Sequence, residues 1–360
     1  MTADSIKRFT REKTRPVRAG GLRIGGGAPV SVQSMTNTDT RNIPETVRQI
    51  NALQAAGCQL ARLAVPDGEA AGAFGEIKKQ TGIPLSADVH FDYRLALAAI
   101  KNGADKLRIN PGNLGGEDKA REVALAAKAA GIPIRVGVNA GSLEKDILRK
   151  YGGPTAEALC ESALKYISLL EKNNFYDIVV SVKASDVPLM VSACLLLAEK
   201  TDCPQHIGVT EAGTPYRGSV RSAAGIGTLL YAGVGDTVRV SLTGDPVREV
   251  ICAKEILRAM GLLSFGASVI SCPTCGRTEI DIAALAEKIE AFCDTITAPV
   301  KVAVMGCAVN GPGEAREADY GVSGGRGTGV LFKKGKVVKK VPEECLADAL
   351  IEMVRSDLNL

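Results

Sequence analysis

"VQSMTNTDT", residues 32–40, is the stretch on which the fold turns. A short run of small and β-branched residues passes there into a polar loop that contains no glycine. An open doubly wound sheet normally carries a glycine-rich phosphate turn after its first strand, and this loop is not one. The same grammar of short apolar run, polar loop and alanine-rich helix then repeats along the chain. The runs are "VSVQSMT" (30–36), "QLARLAV" (59–65), "PLSADVH" (84–90), "KLRINPG" (106–112), "PIRVGVN" (133–139), "DIVVSVK" (177–183), "HIGVTEA" (206–212) and "TVRVSLT" (237–243). Eight strands alternating with helices over about 250 residues are the arithmetic of a (β/α)8 barrel. The helical stretches "PETVRQINALQAAG" and "SVRSAAGIGTLLYAG" end in glycine, as helix C-termini commonly do.

Outward from these repeats, "RIGGGAPV" (23–30) reads as a hairpin turn before the first strand. After residue 262 the grammar changes to "ASVISCPTCGRT", a helix near 280–294, "VKVAVMGCAVNGPGE", "GVLFKKGKVVKKV" and a closing helix. The expected architecture is an α/β TIM-type barrel over residues 1–262, followed by a small α+β domain over 263–360. The lysines of "KKGKVVKK" fit a charged hairpin that guards a sheet edge, with a docking surface for an acidic protein as the other reading.

The bulk composition narrows the functional class. At 360 residues the chain is long enough for two cores, and 46% apolar with 23% charged residues is ordinary for a globular protein. A net charge of +4 is too slight for a nucleic-acid surface. No run of eighteen apolar residues exists, and "MTADSIKRFTREKTRPVRAGG" lacks the apolar middle of a secretory signal, so a cytoplasmic protein without membrane attachment is expected. Ten cysteines in a reducing compartment are not a disulfide framework. Cys58, Cys160, Cys194, Cys252, Cys293 and Cys345 lie in helix-like apolar contexts and read as core residues, and Cys203 receives no role. Cys272, Cys275 and Cys307 differ, because each is flanked by glycine, proline or a polar turn.

Inside a barrel, alternate strand residues point inward, and active sites gather at the strands' C-terminal ends. Arg62, Arg108, Asn110, Arg135, Asn139, Lys183, Arg239 and Ser241 all interrupt otherwise apolar runs. Cations sharing one opening repel one another unless an anion sits among them, and a phosphate or diphosphate fits. Pairing with carboxylates such as Asp88 or Glu211 is the plainer explanation, but strand-end carboxylates are fewer than the cations. Asp88, His90 and Glu211 supply groups able to move protons at the same rim, whereas His206, at the start of its strand, reads as structural.

The thiols admit several occupants. Cys272 and Cys275 are followed 32 residues later by Cys307, and neither histidine falls in this module to complete a zinc site. A redox dithiol would sit after the first strand of a βαβ unit. Three thiolates are what a cubane cluster uses when one iron is held differently, and Glu314 is an available oxygen ligand. A carboxylate matches iron less tightly than thiolate and leaves that iron able to exchange ligands.

"SVQSMTNTDT", "DVHFDYRLA", "LRINPGN", "GVTEAG", "SCPTCGRT" and "GCAVNGPGEA" together resemble stretches of the 4-hydroxy-3-methylbut-2-enyl diphosphate synthases of the non-mevalonate isoprenoid pathway, in their compact bacterial form. The resemblance implies an oxidoreductase that opens and dehydrates 2-C-methyl-D-erythritol 2,4-cyclodiphosphate by two-electron reduction. It implies a [4Fe-4S] cluster on Cys272, Cys275, Cys307 and Glu314, and diphosphate contacts from Arg62, Arg108, Asn110, Arg135, Asn139, Lys183 and Ser241, with Thr210 and Arg239 beside them. Glu211 matches an acidic position at that family's substrate site, and a proton-handling role is expected for it. Reduced flavodoxin or ferredoxin is the implied electron source. The implied assembly is a homodimer in which one subunit's cluster module closes over the other's barrel. Two competing readings remain: a phosphate-binding barrel with a structural zinc module and no redox activity, and a pterin-type or aldolase-like barrel transferase that leaves the cysteines idle.

Overall fold

The computed structural model describes residues 9–109, 116–263, 266–307 and 315–360. The chain separates into two compact units, Met1–Leu262 and Leu263–Leu360.

The first unit opens with an antiparallel hairpin, β1 (Val17–Ala19) and β2 (Leu22–Ile24). Its turn is Gly20–Gly21, with Gly20 at φ 55°, a conformation glycine enters without a Cβ penalty. "RIGGGAPV" therefore begins inside the hairpin's second strand and runs on past it instead of turning it. Eight parallel strands come next: β3 (Ser31–Met35), β4 (Leu60–Ala64), β5 (Leu85–Asp88), β6 (Lys106–Ile109), β7 (Ile134–Asn139), β8 (Ile178–Lys183), β9 (His206–Ile207) and β10 (Thr237–Val238). They pair in the order β8-β7-β6-β5-β4-β3-β10-β9, and a bridge from Val180 to Gln205 closes β8 onto β9.

Helices α1 (Ile43–Ala55), α2 (Gly68–Lys79), α3 (Tyr93–Lys101), α4 (Glu117–Ala130), α5 (Lys145–Tyr151), α6 (Ala156–Lys172), α7 (Val187–Ala198), α8 (Pro215–Tyr231) and α9 (Pro246–Ala259) fill the crossovers. The polar loops after the strands end in residues that start these helices. Asn42, Asp67, Asp92, Thr155, Asp186 and Asp245 each accept a first-turn backbone N–H, worth about 1 kcal/mol apiece. The apolar core is the annulus between strands and helices, where Leu63, Leu107, Ile134, Val136, Val180 and Val238 are buried. The barrel's own interior is polar except at its floor, where Val17, Ala19 and Ile24 of the hairpin pack on Leu60 and Val179.

Seven-residue strands were expected at 206–212 and 237–243, yet β9 and β10 pair over only two residues each. One further ladder bond runs from Arg239 N to Ile207 O at 3.1 Å, and beyond it Gly208 is tightly enclosed: a Cβ there would lie 2.1 Å from the carbonyl oxygen of Arg239 and 3.0 Å from Lys183 Nζ. Gly208→Ala is therefore expected to cost about 1–3 kcal/mol by overpacking. Gly227→Ala in α8, where a Cβ meets only Met260 Sδ at 3.7 Å, is expected to stabilise by about 0.5–1 kcal/mol. Paired urea titrations check both, and equal effects would refute the close-approach explanation.

The second unit contains β11 (Ser268–Ser271), α10 (Ile282–Cys293), β12 (Lys301–Met305), β13 (Tyr320–Gly325), β14 (Thr328–Lys333), β15 (Lys336–Pro342) and α11 (Leu346–Leu358). Its sheet runs β11-β12-β13-β14-β15, parallel through β13 and antiparallel beyond. Ile282, Ile289, Val302, Val304 and Leu350 share its core. The edge strand β15 carries Lys336, Lys339 and Lys340, with Lys333 ending β14 and Lys334 in the turn, and that turn lies beside the start of β13, where Lys333 pairs with Tyr320. That is the opposite end of the sheet from Cys272 and Cys307, which follow the ends of β11 and β12. The lysines therefore guard an edge and do not flank the thiols.

All ten cysteines are free. Cys58, Cys160, Cys194 and Cys293 are buried as expected, but Cys252 is only partly buried and Cys345 is exposed. Cys345 closes a short 3-10 turn ahead of α11, outside the buried stripe of that helix. Among the described residues, no helix is long and apolar enough to cross a membrane.

Candidate active site

Strand alternation brings Arg62, Lys106, Arg108, Arg135 and Lys183 into the barrel, all buried. Asp88 stands among them, with Oδ1 accepting from Arg108 Nη1 at 3.0 Å and Oδ2 lying 3.7 Å from Arg62 Nε. Arg62 also points Nε and Nη2 at Met35 Sδ, at 3.1 and 2.9 Å. Gly137 leaves room for Arg108, because a Cβ there would lie 2.9 Å from its Nε. Arg135 donates from Nη1 to Ser181 Oγ at 2.6 Å, while its Nε and Nη2 have no partner among the described residues. Arg239 Nη2 reaches Glu249 at 3.3 Å.

The charges are out of balance. Asp88 serves Arg62 and Arg108, and Glu249 serves Arg239, but among the described residues no carboxylate pairs with Lys106, Arg135 or Lys183. Carboxylate pairing thus accounts for part of the set and not for these three. Burial lowers the pKa of Arg62 to about 10, against the opposing pull of Asp88. Burial, then the neighbouring cations, pushes Arg135 and Lys183 well below their ordinary values. Burial alone would raise Asp88, but Arg62, the hydrogen bond from His90 and Arg108 together hold it far below the usual carboxylate range. Asp88 is therefore a fixed anion and not a proton carrier. Buried basic groups without carboxylate partners inside the barrel form a site for a polyanion.

At the rim, His90 Nε2 lies 3.5 Å from Asp88 Oδ1 and beside Arg108 Nη1. Asn139, Thr210 and Ser241 are half-buried there. Glu211 is exposed and held at φ 53°, a left-handed backbone that a non-glycine residue adopts at a cost. Asn110 and Glu314 lie outside the described residues.

In the second unit Cys272 and Cys307 follow adjacent parallel strands at their C-terminal ends, where open α/β sheets bind ligands. Cys272 N donates to Val304 O at 3.0 Å, and Ser323 Oγ donates to Cys307 O at 2.9 Å. Cys275 N donates to Thr278 Oγ1 at 3.1 Å in the loop between. A backbone hydrogen bond from Arg277, outweighing desolvation, together with Thr278 lowers the pKa of the exposed Cys275 thiol. The three cysteines, with Ile270, Met305 and Arg277, line one cavity of about 310 Å³. Among the described residues no three such donors converge on a single ion; they stand around the cavity's walls. A larger cavity of about 580 Å³ lies at the opposite end of the barrel strands, but its Asp202 is paired with Arg15 and its Asp236 with Thr14 and Gln205.

Family models for the GcpE TIM-barrel domain and the GcpE protein C-terminal domain match residues 14–254 and 268–356. This chain belongs to the GcpE family. A relative from Caldanaerobacter subterraneus subsp. tengcongensis is 59% identical over 344 residues, covering 96% of this chain and 97% of its own. Another from Bacillus subtilis is 57% identical over 340 residues, covering 94% and 90%. Both are named 4-hydroxy-3-methylbut-2-en-1-yl diphosphate synthase (flavodoxin). Among solved structures, a dihydropteroate synthase from Stenotrophomonas maltophilia aligns with 69% of this chain and 97% of its own, at 16% identity and a TM-score of 0.48.

Two residues of the GcpE barrel escaped the sequence reading. Glu249 is buried on α9 and accepts from Ser34 Oγ and Leu242 N, each at 3.0 Å, as well as from Arg239. Its signal was a carboxylate on the buried 246-249-250-253 stripe of that helix. Lys106 is wholly buried two residues before Arg108, so alternation alone puts both on one wall. His206 is also wholly buried, with Nδ1 3.4 Å from Thr237 Oγ1 and Nε2 unpartnered among the described residues, which corrects the expectation of a satisfied structural histidine.

Proposed function

We propose that this GcpE protein is a 4-hydroxy-3-methylbut-2-enyl diphosphate synthase, converting 2-C-methyl-D-erythritol 2,4-cyclodiphosphate by two-electron reductive ring opening with loss of water. One observation carries the reading: the barrel interior holds more buried cations than carboxylates, as a dianionic cyclic diphosphate requires. Arg62, Arg108, Arg135, Lys183 and Arg239 bind the two phosphates, with Asn110, Asn139, Thr210 and Ser241 completing the contacts. Asp88 keeps Arg62 and Arg108 aimed at the anion.

The donor set of the second unit suits an iron–sulfur group, since soft thiolates around one cavity select such metals. Cys272, Cys275, Cys307 and Glu314 would hold a [4Fe-4S] cluster. When bound, that group supplies single electrons at an iron able to accept a substrate oxygen. Glu211, exposed after β9 on a left-handed backbone held at a cost, delivers a proton to the departing hydroxyl so that it leaves as water. His90 orients beside Asp88 and serves as the second proton group. Reduced flavodoxin, which the relatives' name includes, or ferredoxin supplies the electrons; a cytoplasmic homodimer carries over from the family resemblance. No observation favours the zinc-module alternative.

Metal and acid-labile sulfide analysis of anaerobically purified protein tests the reading: about four irons and four sulfides per chain are expected. One zinc without sulfide, and no turnover of the cyclodiphosphate, would overturn it. Glu211→Gln is expected to lower kcat by about 10²–10⁴-fold with cluster content unchanged. Near-normal turnover would remove Glu211 from the proton path.

A further inference from the structure

We propose that Lys106 is a positioning residue beneath the bound diphosphate, an amine in the barrel's deepest polar layer that takes up a proton when the anion arrives. Only the identity of that anion rests on the function proposed above. Lys106 is wholly buried, and among the described residues its single partner is the neutral Gln33 Oε1 at 3.4 Å. Arg135 on β7 and Arg62 on β4 are the charges that act on it most, Ser86 stands in register with it on β5, and its charge is felt by His206 on β9; Asp88, Arg108, Lys183 and Arg239 lie on the other strands of the same barrel. The one carboxylate among these, Asp88, is committed to Arg62, Arg108 and His90.

A guanidinium cannot shed its proton under such crowding, but an amine can. Burial, followed by Arg135 and Arg62, pushes Lys106 well below its usual value, in the same direction as the geometry. The surrounding polar atoms agree with a neutral amine. Gln33 Nε2, Ser86 Oγ, His206 Nε2 and Arg135 Nη2 all lack partners among the described residues, so this layer holds no strong anion to attract an ammonium. Two negative charges arriving one layer above reverse the local field and raise the amine's proton affinity. By reciprocity, protonation of Lys106 strengthens anion binding, so affinity falls as pH rises.

The cyclodiphosphate has no phosphate monoester to titrate near neutrality, so any proton exchanged on binding belongs to the protein. Isothermal titration of the cluster-loaded enzyme at pH 7.5, in two buffers of different protonation enthalpy, is expected to show uptake of about one proton per bound substrate. Lys106→Met is expected to cut that uptake, weaken the pH dependence of KM and raise KM with kcat little changed. Lys106→Arg, with a permanent charge, restores affinity without restoring uptake. Lys183, buried without a carboxylate in the same way, can take up a proton too, so Lys183→Met is expected to weaken binding and to keep the part of the uptake that belongs to Lys106. Substrate bound by the wild-type enzyme without proton uptake overturns the proposal whether or not any variant folds, as does full uptake in Lys106→Met. If the cyclodiphosphate gives no binding heat, the functional reading fails; sulfate, a dianion that also does not titrate here, then tests Lys106 in the same two buffers.

Discussion

Asp88→Asn is expected to destabilise the barrel by about 3–5 kcal/mol, the scale of leaving a buried charge without its partner. Two guanidinium groups lose their common anion at once, since Asp88 holds Arg108 at 3.0 Å and Arg62 at 3.7 Å. The amide keeps the shape and some hydrogen bonding, so the loss is electrostatic and not steric. Because the folded carboxyl is held far below its unfolded value, its contribution is fully present above the unfolded pKa near 4 and is lost only as pH falls through the folded one. The deficit should therefore be constant from about pH 6 to 8. Sulfate should restore much of it, by binding the cations that Asp88 no longer balances. Urea titrations with and without sulfate measure both effects. A loss under about 1 kcal/mol with no sulfate response would mean that Asp88 does not organise the anion site.

Cys307→Ala is expected to abolish turnover while sparing substrate binding. The thiol sits at the end of β12 on a cavity wall, and its removal leaves two cysteines to hold a group that needs more donors. Iron and sulfide should fall well below four per chain, and the visible absorption of the cluster should fade. The cyclodiphosphate should still bind within a few-fold of wild type, because the arginines and lysines that grip it belong to the other unit. Retained iron and activity would remove Cys307 from the ligand set. Lost binding with the barrel still folded would show that the cluster itself supplies much of the affinity.

Much of this was legible because barrel strands obey a period of two. Arg62, Arg108, Arg135 and Lys183 interrupt apolar runs at inward positions, and each side chain is inside the barrel. What escaped depends on tertiary neighbours. Glu249 lies on a helix, and only the packing of α9 against β3 reveals that it serves Arg239 and Ser34. Lys106 has the right parity, but nothing local tells a deep lysine from one at a strand's solvated start. The tight enclosure of Gly208 depends on the carbonyl of Arg239, some thirty residues away, which no propensity encodes. Cysteine context separated the cavity-lining thiols from most core ones, and it failed at Cys345, where an amphipathic helix begins one residue later.

The hairpin that packs Val17, Ala19 and Ile24 onto Leu60 and Val179 makes the barrel a well with a floor. Traffic through it is two-way along a single path: the diphosphate that leaves must pass back through the mouth by which its precursor entered. A departing product and an arriving substrate then exclude one another. Product inhibition should accordingly be competitive, and its strength will set how fast the enzyme can work in a cell where the allylic diphosphate accumulates.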